Sequence, residues 1–332
     1  MDLLSVVIIG RNESENLERL ADSVDKLKEF CSFPVETVFI DSASEDDSVL
    51  LAQSRFDRVY EIIQDPRMCA SAGRHVGTNK AKFEWIFYID ADMEIRPEFL
   101  PVIESLKEAP ADWQGIIGDY IHHFDDGSTA AQTFEGDVFR SEWAGSFGGA
   151  VILRRDSVIR AGNWNPGVYG KEEMNLYSRI GNGARVVWYA PVPMINHFSE
   201  KYSRFELFKR LLYPSAGQGK VFYGYGQSVR ALLHAGMLAA LVRLEPEPFL
   251  VWTLLTMGLI STVFLPGVWG GVLLVAAFML LVVWMRPGPL LRFLTLPLQI
   301  LAGWGRYPTD YLPELKDDPE VSNQAPGGSN IQ

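Results

Sequence analysis

Apolar residues fall into two alternating patterns over the first ninety or so positions. Residues 4–9, LSVVII, are an unbroken β-branched run, as in a strand buried on both faces. The next stretch, NESENLERLADSVDKLKEF, places Leu17, Leu20, Val24 and Leu27 at helical spacing behind a capping-type start. VETVFID is a second strand ending at Asp41, SEDDSVLLAQSRF a second helix and RVYEIIQ a third short strand. SAGRHVGTNKAK is a helix of small residues, and WIFYID is a fourth strand ending at Asp90. Strands and helices alternating at these lengths predict an α/β domain with a mostly parallel sheet and helices on both faces. From about 113 to 195 the pattern loosens into shorter strands and many glycines, with a helix predicted over 171–180. This region completes the sheet and forms a second substrate wall, so the domain spans residues 1–200.

After His197 the character changes. YSRFELFKRLLYP sets Phe205, Phe208, Leu211 and Leu212 against Arg204, Lys209 and Arg210, which predicts an amphipathic interfacial segment over 201–230. Residues 231–310 read as membrane helices, with uncharged runs at 248–265 and 267–285 and a third candidate at 289–304. Each of the first two approaches the length needed for roughly 30 Å of hydrocarbon. Arg230 and Arg243 precede them, Arg286, Arg292 and Arg306 follow, and the connector carries no charge. The positive-inside rule then places both ends, and the catalytic part, on the cytoplasmic face of an inner membrane. The alternative is that these runs are buried helices of a soluble domain. The polar, Pro- and Gly-rich residues 311–332 read as a disordered tail.

Charge follows the same division. The chain's net charge of −11 is the sum of −13 over residues 1–196, +5 over 197–310 and −3 beyond. An acidic first part is not that of a nucleic-acid binder. Cys31 and Cys69 form no CxxC or zinc pattern, which fits a reducing compartment, and the N-terminus has no basic n-region of a signal peptide.

In open α/β sheets ligands collect at the carboxyl ends of strands. Three polar clusters fall there: Gly10–Glu13, Asp41 and Asp90–Asp92. Two carboxylates two residues apart suit a hard divalent cation, Mg²⁺ or Mn²⁺, completed by phosphate and water. Such an ion neutralises a departing diphosphate. Asp-x-Asp also occurs in solvated turns, and position behind a buried strand is what favours the ligand reading. No Walker, Rossmann or Ser/His/Asp pattern is present.

VVIIGRNESENL, VFIDSASEDDS, SAGRHVGTNKAKFEWIFYIDADMEIRPEFL and GGAVILRRDSVIRAGNWNPGVYGKEEMNLYSRI together resemble, in order, the motifs of family 2 glycosyltransferases over residues 4–200. The resemblance implies a GT-A fold and sugar transfer from a nucleotide diphosphate. By position, Gly10, Arg11 and Glu13 match the first nucleotide-contacting loop, and Asp41 the aspartate that bonds the base. Arg74 falls where a basic residue faces the diphosphate. Asp90, Ala91 and Asp92 match the Asp-x-Asp that holds ribose and metal, and His197 sits where some members supply a further metal ligand. Glu173, beside Glu172, matches the general base, and Arg179 the arginine that follows. The departures are IGRNE for the usual first loop, DSAS for Asp-Asp-Gly-Ser, and Glu for Asp at the base.

Each residue also has a plainer reading. The Glu pair can be a helix start that favours acids, His197 a buried histidine, and Arg74 the partner of an acidic surface. The GSFGGA run at Gly145–Ala150 is either a close backbone approach to sugar or acceptor or an irregular loop. The resulting expectation is a membrane-attached, metal-dependent, inverting transferase of cell-envelope polysaccharide or glycolipid synthesis. It moves a sugar, from UDP by family habit, to a lipid-linked acceptor. The rival readings are a non-catalytic membrane partner of the same fold and a related nucleotidyltransferase.

Overall fold

The apolar run at the start of the chain becomes β1 (Leu4–Gly10), and in this computed structural model it is the middle of a parallel half-sheet. The structure describes residues 3–133, 147–201, 221–244, 296–308 and 310–316, with scattered positions between 246 and 260. β2 (Val35–Asp41) and β4 (Trp85–Asp90) flank β1, and β3 (Arg58–Glu61) lies outside β2. The crossovers are helices α1 (Ser14–Phe30), α2 (Ser48–Arg55) and α3 (Ala70–Lys80). Leu17, Leu20, Val24 and Leu27, the stripe predicted for α1, are all buried. The register matters most for function: Gly10 pairs with Asp41, and Ile9 with Asp90. The three strands therefore end level, and their polar ends open on one edge.

Beyond β4 the sheet stops being parallel. β8 (Val151–Arg154) runs antiparallel between β4 and β6 (Gly115–Phe124), and β9 (Val187–Ser199) joins β6 in parallel. β5 (Met93–Ile95) closes the far side antiparallel to β9, and β7 (Thr129–Gln132) hairpins onto β6. The expectation of a mostly parallel sheet thus holds for one half only. The physical reason lies in the connections: the turn at 125–128 is too short for a parallel crossover, which needs a dozen or more residues. Three short helices complete the domain: α4 (Leu100–Glu104), α5 (Arg155–Arg160) and α6 (Glu172–Ile180).

The C-terminal region corrects the membrane expectation. No helix among the described residues is long and apolar enough to cross a membrane, which overturns the integral inner-membrane placement. α7 (Val221–His234) spans about 21 Å at 1.5 Å per residue, and α8 (Leu238–Leu244) and α9 (Leu296–Trp304) are shorter. Part of their apolar surface is taken up by protein, while Leu298 and Leu301 of α9 stay exposed. Tyr225, Val229 and Leu232 of α7 and Leu241 of α8 cluster with Met174 of α6, and Phe249, Trp252 and Ile300 pack on them. Gln227 is buried, accepting from Tyr169 N (3.0 Å) and donating to the Arg306 carbonyl (3.2 Å). The run at 267–285, most of the 201–230 segment and residues 317–332 lie outside the described residues. Residues 311–316, assigned to the tail by sequence, lie on the sheet: Leu315 bridges Ile62, Ile63 N donates to Glu314 O, and Lys316 N to Glu61 O.

α7 reaches the α6 N-terminus through Gly224, where an added Cβ would sit on the Gly170 backbone. Backbone cannot yield as a side-chain tip can. Gly224→Ala is therefore expected to destabilise by about 1–3 kcal/mol despite the better helix propensity of alanine. A lowered urea midpoint with unchanged slope is the readout; a raised midpoint contradicts the packing.

Candidate active site

The loop after β1 is shaped by local polar chemistry. Asn12 takes positive φ (56°), its N donates to Ser44 Oγ, and its Oδ1 accepts from Glu45 N (both 2.8 Å). These bonds clip the β1 and β2 loops together. Asp41 is fully buried and accepts from both Ser44 N (2.8 Å) and Ser44 Oγ (2.5 Å), so its carboxylate organises the second loop. Burial pushes its pKa up, although the Ser44 bonds pull the other way. A Cβ at Gly10 would meet Ala91 Cβ at 2.9 Å, so glycine there lets the ends of β1 and β4 close up. Gly10, Arg11, Glu13, Asp90, Ala91 and Asp92 line one cavity of about 290 Å³, walled opposite by Ser42 and residues 68–70. Glu13 is pushed upward by burial, an Asn16 bond opposes this, and Asp92 and Asp90 add to it.

At the edge of this cavity Arg74 and Glu172, both buried, join the partly exposed Asp90 in an ion triad. Arg74, on α3, is 2% exposed and donates from Nη2 to Asp90 Oδ1 (2.7 Å) and from Nη1 to Glu172 Oε1 (3.1 Å). Its guanidinium also lies 5.1 Å from the Trp164 ring. Gly149 covers the pair: a Cβ there would come within 2.8 Å of Arg74 Nη2 and 3.0 Å of Asp90 Oδ2. Burial works against Arg74's charge, but Asp90, Glu172 and Glu173 together raise its pKa. Asp90 is pushed up by burial, held back by Arg74, and pushed further by Asp92.

Asp92 faces the other way. Its Oδ2 lies 3.2 Å from His197 Nε2, and its Oδ1 is buried with no hydrogen-bond partner. β5 and β9 bring the two together, since Met93 pairs with His197. Behind His197, its Nδ1 meets His122 Nδ1 (2.9 Å), and His122 Nε2 meets Gln132 Oε1 (2.9 Å). With Gln132 Oε1 as acceptor, His122 donates from Nε2 and accepts at Nδ1 from His197. His197 Nε2 faces Asp92 Oδ2, so an imidazole nitrogen and a carboxylate stand side by side, donor types a divalent cation takes. Burial lowers the His197 pKa, and Asp92 more than reverses this. Among the described residues no group of three or more His, Cys, Asp or Glu forms a self-sufficient metal site. A site of two protein ligands matches an ion completed by phosphate and water.

α6 starts at Lys171, held in the left-handed region (φ 61°), and opens with Glu172 and Glu173. Glu172 is spent on Arg74. Burial raises Glu173 to about 8, with Glu172 adding to the rise and Arg74 opposing it. Arg179, at the other end of α6, bonds the Ala161 carbonyl and Asn175 Oδ1. Burial lowers it to about 10. Six residues beyond Glu173, it lies about 9 Å further along the helix axis.

The structure thus gathers Gly10, Arg11, Glu13, Asp90, Ala91 and Asp92 at one cavity. It adds His197 through Asp92, and Glu172 through Arg74. Asp41 and Arg74 lie behind it, whereas Arg179 is anchored at the far end of α6 on Ala161 and Asn175. Of the GSFGGA run, Gly149 approaches the Arg74–Asp90 pair. His122, Gln132 and Trp164 were not foreseen. The two histidines are adjacent only across β6 and β9, and no sequence spacing encodes that.

A family model described as "Glycosyl transferase family 2" matches residues 5–210. Among solved structures, PcManGT, a mannosyltransferase from Pyrobaculum calidifontis in complex with GDP-Man and Mn²⁺, superposes with a TM-score of 0.53 at 15% identity. The match covers 90% of this chain and 85% of that one, and the likeness is one of fold. TarS of S. aureus gives 0.48 at 12% identity, over 91% of this chain and 54% of that one. GalNAc-T7, with UDP, GalNAc and Mn²⁺, gives 0.46 at 17%, over 70% and 51%.

Removing one member of a buried ion group leaves the others uncompensated. Arg74→Met is expected to cost about 3 kcal/mol near neutral pH. The loss should shrink towards acid, where protonation removes the charge of Asp90, whose pKa burial already pushes up. Denaturant titrations of both proteins at several pH values check this, and a pH-independent loss contradicts the ionic account.

Proposed function

Since the chain belongs to glycosyl transferase family 2, we propose that it transfers a sugar from a nucleotide-diphosphate donor to an acceptor hydroxyl with inversion. Glu173 is the base, and Asp92 with His197 the holders of a divalent cation. The observation that carries this reading is the division of labour at the ends of β4 and α6. Arg74 neutralises Asp90 and Glu172, leaving Asp92 and Glu173 outside the ion triad. The cavity bordered by Gly10, Arg11 and Glu13 is the place for the nucleotide, with Asp41 setting the loop that borders it. We take the donor to be a UDP-sugar, on the family's habit.

Mg²⁺ or Mn²⁺, when bound, would neutralise the leaving diphosphate. Asp92 and His197, whose Oδ2 and Nε2 are 3.2 Å apart, would hold it, with His122 backing the His197 ring. Glu173 takes the proton from the acceptor hydroxyl as that oxygen attacks the anomeric carbon and the nucleoside diphosphate departs. A single base acting from the face opposite the leaving group gives inversion. The raised pKa of Glu173 brings it close to the working pH, where a base is most effective. A lipid-linked glycan is the first acceptor class to supply.

The test is nucleoside diphosphate release from a panel of nucleotide sugars, with and without Mn²⁺ or Mg²⁺. Asp92→Ala and Glu173→Gln should each lower kcat/KM by about a hundredfold or more. The base acts ionised, so wild-type kcat/KM should climb through pH 8 and level above it, well beyond the usual carboxylate range. Full activity in Glu173→Gln removes the base. No release with any donor and acceptor overturns the whole reading.

A further inference from the structure

The C-terminal helices enclose a second cavity beside the nucleotide cleft. It measures about 400 Å³, and three half-buried tyrosines line it: Tyr169, just before α6, Tyr223 on α7 and Tyr307, just after α9. Arg67 and Arg306 stand beside them. The two cavities share one loop. Arg67 lines this one, and the next three residues, Met68, Cys69 and Ala70, line the cleft.

That loop is fastened to the segment leading to Glu173. Tyr169 Oη donates to the Pro66 carbonyl (3.1 Å), and Cys69 Sγ lies 3.2 Å and 3.3 Å from the carbonyl oxygens of Pro166 and Val168. The C-terminal region is fastened to the same segment. Asn165 Nδ2 donates to Tyr307 Oη (2.7 Å), and a Cβ on Gly167 would come within 2.8 Å of the Pro308 carbonyl oxygen. The two arginines are already committed. Arg67 forks onto Asp65 through Nε (2.9 Å) and Nη2 (2.7 Å), and Arg306 lies over the Tyr223 ring at 4.5 Å. What the cavity offers a ligand is aromatic surface, fixed in place before anything binds.

We propose that this cavity seats an oligosaccharide acceptor, its tyrosines holding the sugar rings behind the one that accepts; this rests on the transfer reaction proposed above. A pyranose has an apolar C–H face that matches the electron-rich face of an aromatic ring, and its hydroxyls can bond the phenols at the rim. Glu173 is four residues beyond Tyr169, so at most about 14 Å of chain separates them, within the reach of a short oligosaccharide. The volume lies within the range of small-ligand sites. The C-terminal region thereby completes the acceptor side of the transferase domain.

Isothermal titration of the full chain with maltotriose, cellotriose, chitotriose and mannotriose, each beside its monosaccharide, tests the seat without turnover. The titrations are run with and without UDP and Mn²⁺. At least one trisaccharide is expected to bind about tenfold or more tightly than its monosaccharide. Tyr223→Ala and Tyr307→Ala should each weaken that binding by about fivefold or more, whereas Tyr223→Phe, which keeps the ring, should bind as wild type does. If Tyr307→Ala does not fold, the two Tyr223 variants carry the test. In nucleoside diphosphate release with that trisaccharide as acceptor, Tyr223→Ala should raise the acceptor KM and leave the donor KM unchanged. Binding untouched by both alanine variants overturns the seat. So does a monosaccharide bound as tightly as its trisaccharide, or no binding up to about 10 mM. A protein that binds a trisaccharide on these rings yet releases no nucleoside diphosphate from any donor keeps the seat and overturns the transfer reading.

Discussion

One buried guanidinium holds the catalytic edge together. Arg74 rises from α3 and reaches the end of β4 through Asp90 and the start of α6 through Glu172. Taking these charges out of water is expensive, and only good geometry with opposite charges recovers the cost. Trp164 backs the guanidinium, and Gly149 passes over it with no side chain to intervene. Three elements far apart in sequence are thereby held in one relation. The same bond separates the roles of two neighbouring glutamates, since Glu172 is consumed and Glu173 is left to titrate.

The two halves of the sheet contribute differently. The parallel half brings the loops after β1, β2 and β4 to one edge because the strands end in register. The mixed half brings side chains that loops cannot place so firmly. His197 on β9 and His122 on β6 face each other across a ladder whose register pairs them directly. Gly149, just before β8, arrives beside Asp90 because β8 runs back along β4.

Sequence periodicity revealed the parallel half well, for a physical reason. Each βαβ unit is nearly self-contained, so its period and its terminal polar cluster appear within some thirty residues. Asp90, Asp92 and the Gly10–Glu13 loop were legible for that reason. The pairing of Arg74 with Asp90 and Glu172 is not legible, because these partners lie 16 and 98 residues away along the chain. The same holds for His122. The apolar C-terminal runs misled in a different way. Hydropathy reports that a segment avoids water, but not what it avoids water against. Among the described residues of these runs, Phe249, Trp252 and Ile300 pack on a cluster of Met174, Tyr225, Val229 and Leu232, while Leu250, Met257 and Ile260 stay exposed.

The strip at 311–316 that lies along β3 gives this sheet a particular history in the cell. Lys316 meets Glu61 across a separation of 255 residues. At about 5–20 residues per second, a ribosome needs roughly 13–50 s to make the chain between them. For that interval the Glu61 carbonyl and the Ile63 N–H are synthesised and without the backbone partners they finally hold. An outer strand left open is a template for pairing with another chain. The nascent protein therefore passes through a window of exposure that the finished one does not have, and it closes only when Glu314, Leu315 and Lys316 leave the exit tunnel.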